Sequence, residues 1–164
     1  MKISVTKESF LKPLQAVCSV VERRQTLPVL SNILVVASDN QLVMTGTDLE
    51  VELVAKVEAE VTTPGEVTLP AKKLLDIVKN LPEDKNITIE IEETKAKLRC
   101  DRSRFSLATL PANDFPTLDD IGASQVVKIP GYDFRELIDR THFSMALQDV
   151  RYYLNGLLIE LTSD

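Results

Sequence analysis

The chain repeats itself, and the repeat limits its architecture more tightly than any other feature. Val5, Leu69 and Ile129 each close a short apolar run. Each is followed five residues later by a large apolar residue (Phe10, Leu74, Phe134) and nine later by another (Leu14, Val78, Ile138). One strand-into-helix unit therefore occurs three times. The first and third copies stay in register past the helix, because Leu30, Leu34 and Val35 fall on Leu154, Leu158 and Ile159 at one constant separation. The expected organisation is an α+β domain over residues 1–122, made of two half-units, followed at 123–164 by the opening part of a second such domain.

The pattern along each unit gives its elements. Thr6 can cap a helix whose apolar positions Phe10, Leu11, Leu14, Val17, Cys18 and Val21 keep a 3.6 period, leaving Lys7, Lys12 and Ser19 outside the stripe. Residues 33–37 read as a strand, 38–40 as a turn and 42–45 as the hairpin partner. Residues 51–57 alternate, Pro64 and Gly65 turn the chain, 67–69 form a strand, and Pro70 takes the first-turn place of a second helix. That helix points Leu74, Leu75, Ile77, Val78 and Leu81 inward, and strands follow at 87–91, 96–100 and 105–110. Each half-unit is thus a helix followed by antiparallel strands. Residues 113–123 read as a linker. The third unit has a helix through Phe134, Leu137 and Ile138, a loop at 147–153 and a strand at 156–161, where it stops mid-unit. An open sheet there exposes unpaired backbone, so a fragment, or a chain completed by a partner, is expected.

Composition excludes several classes. With 44% hydrophobic and 27% charged residues, 164 residues suffice for a real core. No apolar run approaches a membrane span, and the N-terminus lacks a signal-peptide stretch, so a cytoplasmic location without membrane partners is expected. Cys18 and Cys100 are not metal-spaced and read as reduced structural thiols. The only histidine, His142, ends a helix; no glycine-rich phosphate loop, nucleophile elbow or metalloprotease helix is present. Asp48, Glu50 and Glu52 could be imagined as a cation cluster, but alternating acids on a strand more often mark a solvated face. The expectation is a non-catalytic protein with no metal and no cofactor.

Charge is unevenly placed within a net of -6. Residues 1–25 carry Lys2, Lys7, Lys12, Arg23 and Arg24 against Glu8 and Glu22; the second helix carries Lys72, Lys73 and Lys79 against Asp76. Residues 47–60 carry Asp48, Glu50, Glu52, Glu58 and Glu60 against Lys56. Basic helices and acidic strands suit a protein that meets phosphates on one surface and repels them on another; simple solvated faces are the alternative.

Five segments, 24–32 (RQTLPVLSN), 42–50 (LVMTGTDLE), 102–107 (RSRFSL), 110–116 (LPANDFP) and 148–156 (QDVRYYLNG), in this order, resemble the bacterial β sliding clamps, processivity subunits of DNA polymerase III. The resemblance runs from Met1 to the end of the chain. It implies a DNA-clamp fold in a ring of two three-domain subunits, with helices lining the hole and sheets forming the rim. DNA would be held topologically, by weak contacts that allow sliding. It implies DNA-contacting roles for Arg24, Lys72, Gln148, Tyr152 and Tyr153, with Lys12, Lys79 and Arg151 as lesser contributors. Arg24 and Gln148 fall at the same spot of the repeat. A subunit edge would comprise Lys73, Lys95, Arg102, Arg104, Phe105 and Leu107, and Leu154 would belong to a pocket for partner peptides. The partners implied are double-stranded and primed DNA, the polymerase III alpha subunit, the delta subunit of the ATP-dependent clamp loader, and other polymerases and repair proteins. The chain departs from the family in lacking a third domain, without which the two-subunit ring does not close. Leu147 also stands where a polar residue is usual.

Overall fold

The apolar runs at Val5 and Leu69 are strands that stop where helices begin. In a computed structural model describing residues 1–21, 27–117 and 126–161, β1 (Lys2–Thr6) leads directly into α1 (Lys7–Ser19), and β6 (Gly65–Pro70) into α2 (Ala71–Asn80). Thr6 caps α1: it is extended (φ -75°, ψ 145°) and its hydroxyl accepts from the Ser9 amide at 3.3 Å, a cap whose removal typically costs about 1 kcal/mol. Pro13 lies inside α1 and removes the amide that the Ser9 carbonyl would use. Ser9 is exposed, so water can satisfy that group. Pro70 stands one residue earlier than the sequence pattern places it, at the cap of α2.

Between the helices run β2 (Asn32–Ser38), β3 (Gln41–Thr47), β4 (Glu52–Glu58) and β5 (Glu60–Thr63); β7 (Asn86–Glu92), β8 (Lys95–Cys100) and β9 (Ser103–Ala108) follow α2. Asp39 and Asn40, both at positive φ (49° and 58°), turn β2 into β3 with Ser38 opposite Gln41, the two-residue hairpin that matches strand twist. The strands form two antiparallel sheets, in the orders β4-β3-β2-β6 and β5-β1-β7-β8-β9. The strand leading into each helix thus joins the sheet made by the other half. The half-units are exchanged across an internal two-fold, and neither closes its own sheet. β5, unforeseen in the sequence, pairs on the far side of β1.

Phe10, Leu14, Val17 and Cys18 form the buried apolar stripe of α1, continued by Val21 just past its end, and Ala71, Leu74 and Val78 that of α2, against Ile33, Val35, Leu42, Met44, Leu69, Ile87, Ile89 and Leu98. Leu11, Leu75 and Ile77 are only partly buried. The helix–sheet approach is tight at Gly46, where a Cβ would stand 2.6 Å from the Val17 carbonyl oxygen. Inside the core, Asn32 Nδ2 donates to Thr68 Oγ1 at 2.8 Å, and Thr68 Oγ1 donates to the Leu110 carbonyl at 3.0 Å.

Three sequence expectations need correction. Lys7 is not solvated: its side chain is 3% exposed and its ammonium donates to the Lys79 carbonyl (3.2 Å), the Leu81 carbonyl (2.6 Å) and Glu83 (2.6 Å). It caps the C-terminus of α2, where a cation also meets the negative end of the helix dipole. The expected linker begins later, because residues 112–114 form a helical turn and Phe115 is buried. Residues 118–125 lie outside those described.

The fold divides into Met1–Asp119 and Asp120–Asp164. In the second unit, α3 spans Gly131–Thr141, with short helical turns at His142–Ser144 and Tyr152–Asn155. The third correction concerns residues 126–129 and 156–161, which the repeat reads as strands: neither is one among the described residues. A strand exists only through its ladder, and in the first unit the corresponding strands pair with the other half, β1 with β7 and β2 with β6.

Candidate nucleic-acid interface

The two helices of the first unit lie side by side and antiparallel. Lys7, at the start of α1, reaches the end of α2, while Cys18, near the end of α1, places its Sγ 3.5 Å from the carbonyl of Ala71 at the start of α2. Their buried stripes face the sheets, so the opposite sides are presented outward: Lys12 and Gln15 on α1, and Lys72, Lys73 and Lys79 around Asp76 on α2, all exposed. Lys72 is thus exposed on α2, outside its buried stripe. Arg24, together with Glu22 and Arg23, falls outside the described residues. Burial pushes the Cys18 thiol up to about 11, so it is a neutral packing group beneath this surface.

The acidic side is less uniform than the sequence pattern implies. Asp48 is not poised for a cation. Its Oδ1 accepts the amides of Glu50 (2.9 Å) and Val51 (2.7 Å), and the Val51 and Glu50 amides hold its carboxyl below the usual range. It organises a turn in which Leu49 has φ 80°. The other sheet carries basic residues as well as acidic ones. Lys95, Lys97 and Arg99 of β8 alternate on one face, and Arg99 stands directly opposite Arg104 of β9. Lys97 pairs with Glu92, and Lys2 with Glu90 at 3.5 Å. Like charges placed opposite each other across a ladder are unfavourable unless an anion joins them.

β9 ends its sheet and so has one unpaired edge. Lys95, Arg102, Arg104 and Phe105 are exposed on or beside it, and Lys73 is exposed on α2. Leu107, by contrast, is 7% exposed and packs in the core, so it offers a partner little beyond its backbone.

In the second unit, Gln148 has φ 58° and opens a loop closed by its own side chains. Asn155 Oδ1 accepts from the Asp149 amide (3.0 Å), and Asn155 Nδ2 donates to the Asp149 carbonyl (3.1 Å). The Arg151 guanidinium grips both Asp149 carboxylate oxygens at 3.0 Å. That pairing holds the Asp149 carboxyl low and raises Arg151. Arg151 is therefore already ion-paired, which weakens it as a phosphate contact. The clasp presents Tyr152 and Tyr153, edge to face with centroids 6.2 Å apart and both exposed, beside Leu154. Leu147, at the loop's entrance, is 92% exposed. The Asp149–Asn155 clasp and Arg99 do not stand out in the sequence. The Asp and Asn bracketing the tyrosines are the available signal, since both residue types bond to nearby backbone.

Exchanged helix–strand halves, adjacent antiparallel helices with lysines outward, and a tyrosine loop at the start of a further repeat define the architecture of a DNA clamp. The model for the DNA polymerase III beta subunit, N-terminal domain, matches residues 1–119. The beta sliding clamp of Pseudomonas aeruginosa is 57% identical over 162 residues, covering 98% of this chain and 44% of that protein. That of Escherichia coli K12 is 48% identical over 161 residues, with 98% and 44% covered. Among solved structures, the P. aeruginosa clamp bound to griselimycin superposes with a TM-score of 0.91 at 57% identity, over 95% of this chain and 42% of that one. The Caulobacter crescentus polymerase III beta subunit gives 0.90 at 38% identity, over 95% and 42%. The chain belongs to the DNA polymerase III beta subunit family, and it spans less than half the length of these relatives.

Proposed function

We propose that this chain is the amino-terminal part of a ring-forming sliding clamp, a non-catalytic factor that tethers the replicative DNA polymerase III to DNA and makes it processive. The observation that carries the reading is the 57% identity to a beta sliding clamp over 98% of the chain. In this reading residues 1–122 are the first clamp domain and 123–164 the opening of the second. The outward lysines of α1 and α2 face the duplex. Arg24, Lys72, Gln148, Tyr152 and Tyr153 touch DNA, the charged residues by phosphate contact and the tyrosines by stacking on an unpaired base at a primed end. Contacts confined to phosphates and unpaired bases carry no sequence information, as sliding requires.

The unpaired edge of β9, with Lys73, Lys95, Arg102, Arg104, Phe105 and Leu107, meets the second subunit of a homodimer, and the Arg99–Arg104 juxtaposition favours an acidic partner surface there. Leu154 contributes to the pocket through which the polymerase alpha subunit, the loader's delta subunit and other polymerases and repair proteins dock by short peptides. Loading is ATP-dependent through the loader, and the protein works in the cytoplasm.

The test compares retention of the intact subunit, loaded on nicked circular DNA, before and after linearisation. A clamp stays on the circle and runs off free ends, whereas a groove binder holds both alike and would sink the proposal. Lys72→Ala should lower the salt slope of DNA association by about 0.9 for each phosphate that the lysine neutralises.

A further inference from the structure

The tyrosine loop ends in Asn155 followed by Gly156, and that pair has a chemistry of its own. Of the six asparagines in the chain, Asn32 and Asn86 precede isoleucine, Asn40 glutamine, Asn80 leucine and Asn113 aspartate; Asn155 alone precedes glycine. A glycine amide is the least hindered nucleophile that a main chain offers, because no Cβ stands beside it and its backbone turns freely.

We propose that Asn155 is a site of spontaneous covalent modification, a succinimide-forming asparagine that its two hydrogen bonds to the Asp149 backbone keep unreacted. The Gly156 nitrogen gives its proton to solvent base and attacks Asn155 Cγ. The N–Cγ bond forms, the Cγ–Nδ2 bond breaks, and Nδ2 takes a proton from solvent and leaves as ammonia. Water then opens the imide at either carbonyl. Cleavage on the Cγ side gives aspartate, and cleavage on the main-chain side gives isoaspartate. The net change is one water taken up and one ammonia lost, with no oxidant or reductant.

Two features oppose the attack. Asn155 closes the helical turn Tyr152–Asn155. Ring closure needs Cβ and the Gly156 nitrogen to eclipse each other about the Cα–C bond, and a 3-10 ψ of about -20 to -30° holds them roughly a quarter turn apart. The side chain is also engaged: Oδ1 accepts from the Asp149 amide at 3.0 Å, and Nδ2, the leaving group, donates to the Asp149 carbonyl at 3.1 Å. Both bonds open before Cγ can reach its neighbour, and two neutral hydrogen bonds of ordinary net strength imply protection of roughly ten- to a hundredfold. Asp149 is itself fixed. Its Oδ1 accepts the Arg151 amide at 2.8 Å, and the Arg151 guanidinium grips both carboxylate oxygens. All the groups involved lie within residues 149–156.

Either product ends the clasp. A carboxylate at 155 has no N–H for the Asp149 carbonyl and sets a second negative charge beside Asp149, and isoaspartate also lengthens the main chain by a carbon. The loop that carries Tyr152 and Tyr153 then loses its closure and gains a charge that repels phosphate. That consequence rests on the DNA-clamp reading, whereas the modification does not.

Peptide mapping of the intact subunit held at mildly alkaline pH tests it. The folded protein should convert residue 155 to a mixture of aspartate and isoaspartate at least about tenfold more slowly than the same protein in urea. Asp149→Ala removes the ion pair and leaves residues 155 and 156 in place, so it should speed the folded-state reaction by about fivefold or more. In urea, Gly156→Ala should nearly abolish the reaction. Equal rates in folded and unfolded protein would overturn the inference, as would aspartate without isoaspartate, or a folded-state rate that Asp149→Ala leaves unchanged. The comparison of folded protein with protein in urea needs no substitution, so it decides whatever a variant does to folding. Asn155→Asp should lower retention on circular DNA; isoaspartate formation without that loss counts against the DNA role of the loop and leaves the modification standing.

Discussion

Lys7→Met isolates what a buried lysine contributes to the pairing of the two helices. Three acceptors meet its ammonium, but they are unequal. Glu83 is 76% exposed, and an ion pair with one partner in water is worth at most about 1 kcal/mol. The Leu81 carbonyl is buried and accepts at 2.6 Å. A charged hydrogen bond of this kind contributes about 1.5–3 kcal/mol, and orphaning a buried carbonyl costs about 1–3 kcal/mol. The cap therefore outweighs the ion pair. Lys7→Met should destabilise the first unit by about 3 kcal/mol in urea unfolding followed by circular dichroism, whereas Glu83→Gln, which keeps an acceptor, should cost less than about 1 kcal/mol. Equal losses in the two variants, or a loss below about 1 kcal/mol for Lys7→Met, would refute the assignment. In the intact clamp Lys7→Met should also leave the salt slope of DNA association unchanged, unlike Lys72→Ala, because a buried ammonium releases no counterion.

Thr68→Val strands the Asn32 amide in the core and should cost about 1–3 kcal/mol in the same unfolding assay; a neutral result would mean that the Asn32 hydrogen bond adds nothing. Gly46→Ala forces a Cβ against the Val17 carbonyl and should cost about 2 kcal/mol, with stabilisation as the contrary outcome. Asn155→Ala opens the tyrosine loop without touching the first unit, so hydrogen exchange at the Asp149 amide should accelerate while the urea midpoint of the first unit stays put. Asp48 has a folded pKa below its unfolded one, so its contribution is full above about pH 4 and is lost as pH falls through the lower folded value. Asp48→Asn should flatten that part of the acid limb of stability, and an unchanged limb would show that the turn does not discriminate between protonation states.

The legible elements are those whose signal is local. The stripe from Phe10 to Val21 and the Asp39–Asn40 turn are written within a few residues, and the structure has both. β5 is illegible because Glu60–Thr63 holds one large apolar residue, Val61, and its reason for being a strand is β1, almost sixty positions away. Lys7 misleads for a related reason: a polar side chain at a helix start is usually solvated, and its acceptors lie more than seventy residues on. Residues 156–161 show the converse, an apolar run that reads as a strand but has no ladder among the described residues of its unit. Of the site, Gln148, Tyr152, Tyr153 and Leu154 share one clasped loop, and Lys72 projects from α2 as its place outside the apolar stripe implies. The pleat turns Leu107 into the core and Arg104 away from it; Phe105 shares the face of Leu107 but is left 37% exposed.

The exchange of leading strands between the halves puts the protein in a particular position while it is being made. β1 leaves the ribosome well ahead of β7, its partner on one side, which begins at Asn86. At roughly 5–20 residues per second the apolar face of Ile3 and Val5 waits on the order of 4–17 seconds for that strand. β5 arrives earlier and pairs along the other edge of β1, a short strand with Glu60, Thr62 and Thr63 turned outward. A polar strand of this kind acts as a temporary rail on the nascent sheet, holding β1 in register and shielding one of its edges from other chains until the second half of the domain has been synthesised.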